Sequence, residues 1–288
     1  MDTRTVYTIC PEFEAAARVF CPKPDAGGRP GPMPGYPSWV VLHLPHDAPD
    51  IPAEVRDQFL LDDGELGREI LRMTDHCTAE LFGAHRAAGR LARAPVSRLV
   101  VDVERFEDDA LEPMAAAGMG AVYTHTSSSR PLRRPLDLSE REALLERWYR
   151  PHHRRLEQLV EDALRQHGRA VVLDAHSFPS RPLPYERAAS SGRPDICIGT
   201  DPFHTPAALR DALVNAFASE GFLVAVDTPF SGALVPARHQ RRDPRVQSVM
   251  IEVNRRLYLD EATGLQARGF AEVAAALQVC CIAVLDGL

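Results

Sequence analysis

The sequence predicts an α/β fold, with a mixed and largely parallel sheet flanked by helices in a single domain. Three observations carry that expectation. Short apolar runs rich in β-branched residues recur along the chain, segments of helical periodicity lie between them, and polar residues collect immediately after the runs. At 288 residues and 45% hydrophobic content the chain can bury a substantial core. No internal repeat, low-complexity tract or charge run marks a linker, so residues 1–288 are read as one unit.

From the N-terminus onward, residues 1–20 mix Asp2, Arg4, Glu12, Glu14 and Arg18 with apolar residues, unlike the apolar core of a signal peptide. Residues 22–37 hold six prolines and four glycines, which predicts an irregular arm. Five apolar runs then read as buried strands: Trp39–Leu44, Arg98–Val103, Ala170–Leu173, Phe222–Val226 and Ser248–Val253. Leu138–His167 reads as helical, kinked or divided at Pro151, which has no N–H to donate. His153, Leu156, Val160 and Leu164 would share its inward face. Thr205–Ser219 opens on a Thr-Pro start signal, and Ala262–Ala283 sets Leu265, Val273, Leu277 and Val284 near one face.

Composition narrows the partners. A formal net charge of −7 gives no electrostatic reason to bind nucleic acid or an anionic membrane, and no segment has the apolar length to span a bilayer. A small-molecule substrate is the expectation. Six cysteines, at positions 10, 21, 77, 197, 280 and 281, include no C-x-x-C pair; they read as small hydrophobes in a reducing cytoplasm.

In open α/β sheets ligands bind beyond the carboxyl ends of the strands. Here those ends read Pro45-His46-Asp47, Asp102-Val103-Glu104-Arg105, Asp174-Ala175-His176-Ser177 and Glu252-Val253-Asn254-Arg255. A catalytic zinc, or another divalent metal, needs three His or carboxylate ligands and an open position for water. His46 and His176 are the first two candidates, and Asp75 is preferred over Asp47 or Asp50 as the third. Glu252, in a strand where it alternates with Ile251 and Val253, suits the proton-transferring base. Arg105 and Arg255 are the cations an acidic substrate would require.

The ordered set of motifs resembles the N-formylglutamate amidohydrolase family over about Trp39 to Asp260. The motifs are Pro45-His46, Thr74-Asp75-His76 through Leu81-Phe82, Asp102-Val103-Glu104-Arg105 and Tyr149-Arg150-Pro151-His152-His153-Arg154-Arg155-Leu156. They continue as Asp174-Ala175-His176-Ser177, Asp195-Ile196-Cys197-Ile198-Gly199-Thr200 and Glu252-Val253-Asn254-Arg255. The resemblance implies a fold shared with zinc carboxypeptidases and zinc peptidoglycan amidases. It also implies hydrolysis of N-formyl-glutamate to formate and glutamate, a step of histidine degradation. Carried over by position, His46, Asp75 and His176 are metal ligands, Glu252 is the acid/base, and Arg105, His153, Ser177, Asn254 and Arg255 bind substrate.

Two positions depart from the family pattern. His46-Asp47-Ala48 stands where His-Ser-Gly is usual, and Glu104 where Asn is common; each places a carboxylate near the expected site. The rival expectations are therefore another small N-acyl amino acid or peptide-like amide as substrate, or a binding protein that keeps the fold without the activity.

Overall fold

A computed structural model describes residues 34–186 and 192–288. Six strands form the central sheet: β1 (Val40–Leu44), β2 (Leu91–Arg93), β3 (Ala170–Phe178), β4 (Ile196–Gly199), β5 (Val224–Val226) and β6 (Val246–Asn254), in the order β2-β1-β3-β6-β4-β5. Every neighbouring pair is parallel except β4 with β6, so the sheet is mixed but mostly parallel. β7 (Leu259–Asp260) and β8 (Leu265–Gln266) make a separate small hairpin. Among the described residues no helix is long and apolar enough to cross a membrane.

The two faces of the sheet have different characters because side chains alternate along each strand. Leu42 and Leu44 of β1, Val171, Leu173 and Ala175 of β3, and Val249, Ile251 and Val253 of β6 all join one apolar cluster. Against it pack α5 (Ala207–Ser219) and α6 (Phe270–Asp286), the latter contributing Leu277, Cys281 and Leu285. On the opposite face, Val41, Val172 and Val246 meet Leu156, Leu159, Val160 and Ala163 of α4 (Arg150–His167). That face stays apolar only at the amino ends of the strands. Toward their carboxyl ends it carries His43, Asp174, His176 and Glu252, all buried.

A third cluster joins segments between β1 and α4, including Val55, Leu66, Leu99, Val101, Tyr123, Leu144 and Trp148. α1 (Asp63–Met73) opens with a capping box: Asp62 accepts from the Glu65 N–H, and Glu65 accepts from the Asp62 N–H. α2 (Thr78–Leu81) follows Cys77, which sits in the left-handed region at φ 62°. α3 (Leu138–Leu144) begins with a second capping box, Asp137 with Glu140.

Several element boundaries differ from the sequence reading. Arg98–Val103 is not a strand; it folds into tight turns in which the Leu99 N–H donates to Ser97 Oγ and the Val100 N–H to the Ser97 carbonyl. Its apolar residues are buried in the third cluster without a ladder, a placement that a short apolar run cannot distinguish from a strand. β2 and β4 were not anticipated, whereas β3 continues past Leu173 to Phe178. Leu265 belongs to β8, and α6 begins only at Phe270.

The interruption expected at Pro151 in the 138–167 segment takes the form of a change of helix type just ahead of it. A π-helical turn, Leu145–Tyr149, joins α3 to α4, and Pro151 falls in the first turn of α4. The wider turn leaves the carbonyl that Pro151 would otherwise strike without an N–H demand. Of the 22–37 arm, residues 22–33 lie outside the described residues, as do Cys10 and Cys21. Residues 34–37 are irregular, with the buried Tyr36 hydroxyl donating to the Phe82 carbonyl at 2.8 Å. Cys77, Cys197, Cys280 and Cys281 are free thiols.

Candidate active site

The carboxyl ends of β1 and β3 and the end of α1 bring His46, His176 and Asp75 together. The residue following β1 turns at Pro45, and the His46 carbonyl then accepts the Asp75 N–H at 2.9 Å, tying the end of α1 to the end of β1. One ligand atom from each of the three side chains lies within 4.8 Å of the others, and all three residues are buried. His176 Nδ1 is 3.2 Å, and His46 Nδ1 3.7 Å, from Asp75 Oδ2. Bonds of about 2.1 Å at tetrahedral angles to one ion would set such atoms roughly 3.4 Å apart.

The outward side of each group is already occupied. His46 Nε2 pairs with Asp102 Oδ1 at 2.8 Å, and His176 Nε2 with Asp174 Oδ1 at 3.0 Å. Arg255 Nη2 donates to Asp75 Oδ1 at 2.9 Å. His46 Nδ1 meanwhile has no hydrogen-bond partner although it is buried. An inward set of two imidazole nitrogens and a carboxylate oxygen, held from behind by two carboxylates and a guanidinium, fits a divalent cation.

Glu252 stands directly beside His176 in the β3–β6 register, so the two side chains share a face. Its Oε2 is buried without a partner. Burial, reinforced by the Asp75 charge and opposed by His176 and Arg255, pushes the Glu252 carboxyl up to about 7. Burial acts on Asp75 in the same direction, but hydrogen bonds with His176 and His46 and the Arg255 charge hold it well below the usual carboxylate range. Asp102 is likewise held low against burial by Arg98 and His46.

The remaining sequence-selected residues fall into different situations. Arg105 is partly exposed; its Nε is 3.7 Å from Asp102 Oδ2 and lacks a hydrogen-bond partner. His153, on α4, has an unpartnered Nε2 and lies against Tyr149 with ring centroids 4.2 Å apart and planes tilted by 41°. Ser177 Oγ accepts from Arg255 Nε at 3.1 Å. Arg255 is 4% exposed, and its Nη1 donates to the Arg72 carbonyl, so every guanidinium nitrogen is engaged by protein. Asn254 is fully buried: its Nδ2 donates to the Pro194 carbonyl and its Oδ1 accepts the Arg256 N–H. Asn254 and Arg255 thus adjoin the site with their polar groups already committed.

Some contributors were not assigned from sequence. Asp102 and Asp174 were visible in their motifs, but nothing in the spacing says that they face the outer nitrogens of His46 and His176. His43 is buried on β1, with Nδ1 2.9 Å from Asp174 Oδ1 and Nε2 2.8 Å from His152 Nε2. Glu104 Oε1 approaches His43 Nδ1 at 3.3 Å and has no hydrogen-bond partner. Burial and the neighbouring Asp174 raise the Glu104 pKa well above that of an ordinary glutamate, despite His176. His43, Glu104 and Asp174 form a second group of potential ligand atoms among the described residues, immediately behind His176.

Comparisons with known proteins place the chain's sequence and fold. A family profile described as N-formylglutamate amidohydrolase matches residues 38–259. An N-formylglutamate deformylase of Pseudomonas aeruginosa is 28% identical over 214 residues, 72% of this chain and 77% of that protein. One of Pseudomonas putida is 26% identical over 234 residues, 77% and 82% of the two chains. The crystal structure of an N-formylglutamate amidohydrolase from Ralstonia eutropha superposes with a TM-score of 0.75 at 23% identity, covering 88% of this chain and 96% of that one. A gene product of Agrobacterium tumefaciens gives a TM-score of 0.59 at 20% identity, with 86% and 91% covered. The two solved structures speak to the fold.

Proposed function

Because the chain belongs to the N-formylglutamate amidohydrolase family, we propose that it hydrolyses N-formyl-L-glutamate, or a closely related N-acyl amino acid, to formate and the free amino acid. The observation that carries this reading is the meeting of His46, Asp75 and His176 from three distant segments, with the unpartnered Glu252 carboxylate beside them. The three residues would hold a divalent ion, zinc being the expected one. When bound, that ion supplies Lewis acidity, polarising the acyl carbonyl and bringing the pKa of water toward neutrality.

The chain's own groups supply the remainder. Asp102 and Asp174 hold the two imidazoles as inward-facing ligands, and Arg255 fixes the carboxylate of Asp75. Glu252 takes the proton of the attacking water, and the same proton passes to the departing nitrogen as the C–N bond breaks. A carboxyl poised near neutrality can do both. Arg105, with an uncommitted Nε at the edge of the centre, attracts a substrate carboxylate. The Glu104 carboxyl, 3.9 Å from His176 Nε2, favours keeping other N-acyl amino acids in the substrate panel.

The test is turnover of N-formyl-L-glutamate by protein of measured metal content, repeated with Glu252→Gln. The variant should lose about 100-fold or more in kcat while retaining its metal. Undiminished turnover by the variant, or by protein stripped with a chelator, would overturn the assignment.

A further inference from the structure

Arg193 lies just before β4, and the end of β6 holds that segment in place: the Asn254 N–H donates to the Asp195 carbonyl and Asn254 Nδ2 to the Pro194 carbonyl, each at 2.9 Å. The Arg193 side chain is 4% exposed. Its Nη1 donates to both Glu186 oxygens, at 2.9 and 3.2 Å. Nε and Nη2 are buried and have no hydrogen-bond partner.

Those two nitrogens lie along one edge of the planar guanidinium, where their N–H bonds run parallel and match the two oxygens of a carboxylate. An arginine retained only for its ion pair would be expected to turn that double edge toward Glu186. Here Glu186 takes Nη1, and the better edge is left without a hydrogen-bond partner. Aromatic rings hold the plane in position: the guanidinium carbon is 4.8 Å from the Phe178 ring centroid and 5.4 Å from that of Phe230. Buried donors without partners carry a desolvation penalty, and a site for a bound ligand is one of the few settings in which it persists.

The fork is close to the candidate centre. Phe178 lies two residues beyond His176 on the same face of β3, a step of roughly 7 Å. Cys197, in register beside Glu252, donates its thiol to the Phe230 carbonyl, which brings the second ring to the same edge. The guanidinium is therefore about one extended side chain away from the reacting groups rather than adjacent to them.

We propose that Arg193 is the specificity cation for the substrate carboxylate more distant from the scissile amide, received bidentately by Nε–H and Nη2–H. This rests on the amidohydrolase reading and narrows the substrate class to dicarboxylic N-acyl amino acids. Arg105 is then left for the nearer carboxylate.

Two measurements test it. Specificity constants for N-formyl-L-glutamate and N-formyl-L-glutamine are compared in the wild type, in Arg193→Lys, and in the Arg193→Gln/Glu186→Gln double variant, which leaves no unpaired buried charge. The preference for the glutamate form should fall by about 30-fold or more in the double variant, chiefly through KM, and partly in the lysine variant. Glutarate binding to the same three proteins is followed by calorimetry. It should be weakened at least about 10-fold by either replacement. An unchanged glutamate-to-glutamine ratio, or glutarate that binds all three proteins equally or fails to bind the wild type, overturns the proposal. Should the wild type hydrolyse neither formyl amino acid while glutarate binding depends on Arg193, the hydrolase reading fails and the carboxylate site stands.

Discussion

The two imidazoles of the candidate centre each have a carboxylate at the outer nitrogen, and this sets which nitrogen faces inward. Asp102→Asn and Asp174→Asn should therefore each lower metal affinity by about 10- to 100-fold while leaving the inward ligands in place, measured by competition with a chromogenic chelator. Asp102 also accepts from Arg98 Nη2 at 2.7 Å and from the Tyr123 hydroxyl at 2.6 Å, so it is fixed in its turn. His46, His176 and Glu252 were legible because they follow or interrupt apolar runs, and the structure brings all three to one end of the sheet. Arg255 and Asn254 read from sequence as substrate-binding groups, whereas in the structure their polar atoms are bonded to Asp75 and to the Pro194 carbonyl. Spacing in one dimension locates a residue and leaves open the partner that its polar atoms find.

Helix α4 brings His152 and His153 under the site, and burial governs both. Burial and then the nearby His43 lower the His153 pKa to about 4. Between roughly pH 6.5 and 4 the unfolded chain holds a proton at this residue that the native state does not, so stability falls as pH falls through that window. His153→Gln should flatten this part of the urea-denaturation profile between pH 7 and pH 4; an unchanged slope would contradict the neutral buried imidazole. In the sheet, Leu173→Ala removes a fully buried side chain of the larger cluster and should cost about 2–5 kcal/mol, whereas Leu138→Ala, at 88% exposed, should fall within about 0.5 kcal/mol. Strands β1 and β3 were readable because both of their faces are covered at the amino ends, which makes continuous apolar runs, and β6 because Val249, Ile251 and Val253 line the larger cluster. Arg98–Val103 gave the same signal from turns buried in the third cluster, while three-residue β2 is too short for any pattern.

Across the molecule, the proposed ligands come from residues 46, 75 and 176, so a bound ion links the third cluster to the sheet. Saturating metal at about 100 times Kd should stabilise the native state by about 2.7 kcal/mol, seen as a higher melting temperature that a chelator reverses. The π-helical turn at Leu145–Tyr149 bears on the same linkage. Leu144 just before it and Leu145 and Trp148 within it join the third cluster; after it, Leu156, Val160 and Ala163 pack against the sheet. One surplus residue thus works as a phase shifter in a single rod, setting two otherwise mismatched stripes to their separate cores. Deleting the exposed Glu146 would take up the surplus residue, rotate one half by about 100° against the other and restore the carbonyl clash at Pro151 that the wider turn avoids. Such a protein should keep its helix content by circular dichroism yet melt in two stages, with only one of its cores still properly docked.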